Sequence, residues 1–75
     1  MNLSIAQLAR LEVASAGNNF LKGDYAKAAW EYLAAARMEA YVHDEQMRTQ
    51  LVERAIAFAF AATIEPRLHR IAAGV

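Results

Sequence analysis

The chain has 75 residues, of which 57% are apolar and 21% are charged, and it carries no net charge and no cysteine. This length fits one domain, spanning residues 1–75, and the balanced charge argues against an electrostatic nucleic-acid binder. The lack of cysteine excludes disulfides, thiolate metal sites and thiol catalysis. So small a core usually leaves a thin stability margin, so we expect a partner protein to cover more surface.

The first predicted helix begins with a capping signal. Ser4 and Gln7 have the spacing of a capping box, so a helix should run from Ile5 to about Leu21. Gly23 follows this segment, and glycine readily adopts the left-handed conformation that often ends a helix. The sequence therefore predicts a tight turn at this point.

Two further helices are predicted from aspartate caps. Asp24 should cap a second helix that continues to about Val42, and Asp44 should cap a third that reaches Ile64. We expect a break before Asp44, because forty helical residues without a coiled-coil heptad would be unusual. No glycine or proline stands at the break, so one continuous helix from Asp24 to Ile64 remains the alternative.

A short terminal helix is predicted after Pro66. Proline is favoured in the first turn of a helix and disfavoured in its interior, so residues from about Pro66 to Ala73 should form a separate helix closed by Gly74. The predicted fold class is all-α. The chain should form a small three-helix bundle, made of an αα-hairpin and a long third helix, with a short C-terminal helix.

The hairpin carries matching stripes of small and aromatic residues. Ala28, Tyr32 and Ala35 are spaced by four and three residues, which places them on one face of the second helix, toward the first. The first helix offers a complementary stripe of Ala9, Val13, Ala16 and Phe20. The two helices should therefore pack closely as an antiparallel pair.

The segment from Gly17 to Ala35 resembles the tetratricopeptide repeat, with a Gly-Asn, an aromatic residue, Gly-Asp-Tyr and then the stripe of the second helix. Such repeats bury their faces against neighbouring copies, and because no second copy is present, the third helix should take that place. The chain is also similar to the microtubule-interacting and trafficking domain, a three-helix bundle. That resemblance implies binding of short helical or extended peptides in grooves between helices.

Trp30 marks the predicted partner-binding face. It lies about 200° around the second helix from Ala28 and Tyr32, so it should point away from the first helix. The proposed face is formed by Trp30, Arg37, Met38 and Tyr41, which are residue types enriched in protein interfaces. The alternative is that this stripe packs against the third helix as part of the core.

The third helix is apolar over a wide arc. If the hairpin covers Val52, Ile56, Phe60 and Ile64, a second stripe of Leu51, Ala55, Phe58 and Ala62 is left over. We expect that stripe to form a homodimer interface, with Phe58 near its centre, Leu51 and Ala62 within it and Arg54 toward its rim. The alternative is a central third helix, flanked by the hairpin and the terminal segment.

Catalysis, metal binding and membrane insertion are not expected. His43 with Asp44 should form a turn and its cap, Glu65 and His69 a surface pair, and the basic cluster of Arg67, His69 and Arg70 a solvated helix end. The apolar run 55–64 is half the length that a bilayer requires. With no signal peptide visible, the expected location is the cytoplasm.

The sequence therefore predicts a small non-enzymatic interaction module, without cofactors, that binds another protein through an aromatic helical face. It predicts no nucleic-acid or membrane partner. Two alternatives remain, a self-assembling structural homo-oligomer and a small inhibitor that masks a larger enzyme.

Overall fold

The structure, a computed structural model, describes the backbone of residues 3–74 and the side chains of residues 3–64. Four helices follow one another: α1 (Ile5–Leu21), α2 (Tyr25–Ala36), α3 (Glu39–Val42) and α4 (Glu45–Gly74). No strand occurs within residues 3–74. The predicted all-α class and small helical bundle are confirmed.

The ends of the first hairpin follow the predicted local signals. The Ser4 hydroxyl accepts from the Gln7 amide at 3.1 Å, and the Gln7 side chain accepts from the Ser4 amide at 2.8 Å, so both halves of the capping box form. Gly23 has φ 82°. A carboxylate oxygen of Asp24 accepts from the Lys27 amide at 3.2 Å, capping α2 as predicted.

The second helix is shorter than predicted. It ends at Ala36 rather than near Val42, because the Arg37 amide donates to the carbonyl three residues earlier at 3.2 Å and Met38 then adopts an extended conformation with ψ 149°. The short α3 that follows contacts both α1 and α4, and its Tyr41 packs against the core. The contacts of α3 and Tyr41 with the rest of the fold therefore favour the break after Ala36.

The break before the last helix is confirmed. α3 ends at Val42, and a carboxylate oxygen of Asp44 accepts from the Met47 amide at 3.1 Å to cap α4. The alternative of one helix from Asp24 to Ile64 is excluded.

The separate terminal helix is a wrong prediction, because α4 continues without interruption through Pro66 to Gly74. Proline inside a helix removes one hydrogen bond and crowds the carbonyl four residues earlier, at a cost of about 3 kcal/mol. Ending one helix and starting another would instead leave several carbonyls and amides without intrahelical partners. The segment after Pro66 is rich in good helix formers, which favours continuation.

The helices form an open arrangement with α2 in the middle. Both α1 and α4 pack along α2, while the backbones of α1 and α4 hardly approach each other. The Cα atoms span 52 × 28 × 12 Å, whereas two full helix layers would need about 13–15 Å in the thinnest direction. The radius of gyration, 14.6 Å, also exceeds the roughly 11 Å of a compact domain of this length.

Alanines form most of the core. The main buried cluster contains Ala16 from α1, the predicted stripe of α2, and two residues of α4, with Ala9 buried further along α1. Its members are Ala16, Ala28, Tyr32, Ala35, Ala36, Leu51 and Ala55. The prediction that Ala28, Tyr32 and Ala35 are buried in the hairpin is therefore confirmed.

One buried polar side chain joins α1 to α2. The side-chain amide of Asn19 donates to the Ser15 carbonyl at 3.1 Å and to the Glu31 carboxylate. A buried amide costs free energy unless its hydrogen bonds are made, so this pair favours one register of the hairpin. The sequence analysis did not identify it.

Candidate functional site

The two apolar arcs of α4 largely exchange the roles predicted for them, although Val52 packs against the core as expected. Leu51 is 1% exposed and Ala55 is buried, whereas Ile56 is 64% and Phe60 65% exposed. The prediction that the stripe with Leu51 and Phe58 is left uncovered is therefore wrong. Both arcs are similarly apolar, so only the partners available on α1 and α2 decide which one is buried.

Phe58 of α4 packs against aromatic residues of α1 and α2. Its ring lies 4.8 Å from that of Phe20 and 5.4 Å from that of Tyr32, with Tyr25 at 6.4 Å, all between ring centroids. Arg54, expected at a dimer rim, instead places its guanidinium 5.9 Å from the centroid of Tyr32. Phe58 and Arg54 thus belong to an intramolecular aromatic cluster near the α1–α2 turn.

The predicted partner-binding face is divided by the break after α2. Trp30 is 71% exposed and Arg37 is exposed, so the alternative that Trp30 packs in the core is excluded. Met38 and Tyr41 are half-buried, and Tyr41 packs against the core cluster. The assignment of Tyr41 to a continuous outer stripe is wrong, since the stripe assumed a helix that extends past Ala36.

Trp30 instead stands beside residues of α4. A groove of about 470 Å³ runs between α2 and α4. Ten residues line it: Ala26, Ala29, Trp30, Leu33, Val52, Ala55, Ile56, Ala59, Ala62 and Thr63. Alanines make up half of this lining, so another helix can approach closely. Trp30 stands on the α2 side of the groove and Ile56 on the α4 side. Ala62, predicted to lie in a dimer interface, lines this groove.

The groove offers little polar chemistry. Thr63 is its one polar lining residue, and its hydroxyl donates to the Phe60 carbonyl at 2.7 Å. Phe60 itself follows Ile56 by four residues and extends the apolar side of α4 beyond the groove. Such a surface can bind an apolar partner by excluding water, and it has no groups placed for proton transfer.

Charged residues stand beside the apolar surface. Lys27 precedes Trp30 by three residues and Arg37 follows it by seven, so both lie on the same side of α2, and both are exposed. On α4, the exposed Glu53 precedes Ile56 by three residues. The exposed charges beside the groove are therefore basic on α2, whereas α4 carries Glu53 together with the exposed Arg48 and Arg54.

The described part of the chain contains no group of three or more His, Cys, Asp or Glu side chains that could hold a metal ion. His43 lies exposed in the turn before Asp44. Among the residues that the structure describes, no helix combines the length and apolar character needed to cross a bilayer. The side chains of Glu65, Arg67, His69 and Arg70 lie outside the described residues.

Comparison with known proteins gives no match: no family model fits the chain, and no curated protein or solved structure is significantly similar to it.

Proposed function

We propose that this chain is a small non-enzymatic protein–protein interaction module that binds an apolar helical surface in the groove between α2 and α4. The observation that carries the proposal is Trp30, 71% exposed at the side of an apolar groove. Tryptophan is among the residues most enriched at binding hot spots, and a helix laid in an apolar groove is a common mode of recognition.

The exposed residues set the scale of the expected affinity. Burying a large apolar side chain is worth about 1.5–3 kcal/mol, so Trp30, Ile56 and Phe60 together offer at most roughly 5–9 kcal/mol. Association itself costs about 4 kcal/mol or more, so these residues alone support weak binding. A dissociation constant in the micromolar range, about −8 kcal/mol, requires further contacts around them.

The hairpin motif supports the same proposal. Its resemblance to the tetratricopeptide repeat, and that of the three-helix order to the microtubule-interacting and trafficking domain, favours a role in binding proteins or peptides rather than in catalysis. A cytoplasmic location is part of this proposal.

The test compares two exposed apolar residues on different helices. Tagged wild-type chain, Trp30→Ala and Leu21→Ala are incubated with extract of the source cells, and the retained proteins are identified and quantified. Leu21 is 80% exposed but lies on α1, outside the groove, which makes it the matched control. We expect wild type and Leu21→Ala to retain the same protein and Trp30→Ala to lose it. Equal retention by all three chains would refute the groove as the binding surface.

A further inference from the structure

The open arrangement of the helices exposes a surplus of surface. The chain has 5682 Å² of accessible area and a mass of 8.3 kDa. A compact monomer of that mass exposes about 4,600 Å², so the surplus is about 1,100 Å². Each partner in a standard protein interface buries about 800 Å². The surplus, which is spread over the whole chain including the long α4, thus exceeds the area that one partner buries in a standard interface.

We infer that the occupant of the groove is a second copy of this chain, paired about a two-fold axis that runs parallel to α2 and α4. This inference rests on the proposed function, since it names the partner that the same groove binds. In this pairing, α2 of each copy lies on α4 of the other, and the four helices form a closed bundle.

The antiparallel course of α2 and α4 makes this pairing self-complementary. Because α2 ends and α4 begins at the same end of the molecule, Trp30 lies level with the turn that holds Ile56 and Ala59. Rotation about a two-fold axis parallel to the helices leaves the position of each residue along the helix direction unchanged. Trp30 of each copy then meets Ile56 and the small Ala59 of the other copy, a large side chain against a small one.

Charge distinguishes this pairing from one in which the two-fold axis is perpendicular to the helices. With the axis along the helices, Lys27 and Arg37 of one copy face α4 of the other, and Arg37 lies within about one helical turn of the level of Glu53. An axis perpendicular to the helices would place α2 on α2, so that Lys27 and Arg37 of both copies would share one interface. Like charges at an interface disfavour a pairing, so the axis along the helices is selected.

The first test uses purified full-length chain, so its outcome is independent of any other protein. We expect sedimentation equilibrium to give twice the mass of one chain at micromolar concentration, and Ile56→Glu to give a single-chain mass. The matched control, Leu21→Glu, adds the same charge at an exposed site on α1 and should stay dimeric. A single-chain mass for wild type up to millimolar concentration overturns the inference, and so does a dimer that survives Ile56→Glu.

A charge exchange keeps the inference testable if Ile56→Glu fails to fold. Arg37→Glu and Glu53→Arg change exposed residues, and each should weaken the dimer about 2- to 5-fold, as expected for a rim ion pair. The double variant should recover wild-type affinity. Additive weakening in the double variant would contradict the pairing. If wild type is monomeric while Trp30-dependent capture of another protein persists, this inference fails and the proposed function stands.

Discussion

Phe58 and Phe60 give a direct test of which side of α4 faces the hairpin. The two phenylalanines are two residues apart on one helix, so they share the same local propensity and differ in what they contact. Phe58 packs among the rings of Phe20, Tyr25 and Tyr32, whereas Phe60 is 65% exposed. Truncation to alanine should therefore have very different effects at the two positions.

The expected magnitudes follow from burial and ring contacts. Replacing a fully buried phenylalanine by alanine costs about 3–5 kcal/mol, and half-burial of Phe58 reduces this to about 2 kcal/mol. Close aromatic pairs add about 0.5–1.5 kcal/mol each, and Phe58 makes two within 5.5 Å, so we expect a total of about 3–5 kcal/mol. Phe60→Ala removes mainly solvent-exposed area and should cost about 1 kcal/mol or less.

The assay is urea unfolding followed by far-ultraviolet circular dichroism, with the transition midpoint and the m-value fitted separately. Low protein concentration is needed, because self-association through Phe60 would stabilise the wild type by mass action. In thermal unfolding, Phe58→Ala should lower the midpoint by at least about 12 °C. If Phe60→Ala destabilises the chain as much as Phe58→Ala, the assignment of the two sides of α4 is incorrect.

Other substitutions test the hairpin and the groove. Ala28 is fully buried, so Ala28→Leu should overpack the core and lower the free energy of unfolding by about 1–3 kcal/mol; unchanged stability would contradict its burial. Gly17→Ala should raise stability by up to about 1 kcal/mol, because the nearest atom to the added Cβ is the Tyr32 hydroxyl oxygen at 4.0 Å and helical glycine is unfavourable. Gly23→Ala should lower stability by about 1–2 kcal/mol because of its positive φ, and equal melting points for the two glycine variants would refute this contrast. Trp30→Ala should weaken partner binding by at least about 2 kcal/mol with little change in the unfolding midpoint, and a large drop in that midpoint would show that Trp30 supports the fold.

The helix ends that were predicted correctly are encoded by neighbouring residues. Ser4 with Gln7, Gly23, Asp24 and Asp44 act through hydrogen bonds or backbone angles within a few positions, so the sequence alone is sufficient to place them. The end of α2 at Ala36 has no such signal. It depends on the packing of α3 across the end of the bundle, which local sequence does not show.

The sequence predicted the α2 side of the groove but not its α4 side, because the α4 side depends on contacts between distant residues. Helical geometry placed Trp30 away from α1, and the structure agrees. Its neighbours are on α4, and α4 has two apolar arcs of similar character, so the choice between them depends on where Phe58 finds aromatic partners. The contact of Asn19 with Glu31 likewise joins residues twelve positions apart, beyond any local pattern.

The middle position of α2 has a consequence for partial unfolding. Because the backbones of α1 and α4 each pack along α2 and hardly approach each other, with Phe20 and Phe58 joining them by side chains, we expect either outer helix to open before α2 does. Local opening of this kind controls the exchange of backbone amides with deuterated solvent. We expect the amides of α2 to exchange most slowly and those of α1 to exchange sooner. Uniform exchange rates across α1, α2 and the Glu45–Ile64 part of α4 would instead show that all three helices unfold as one unit.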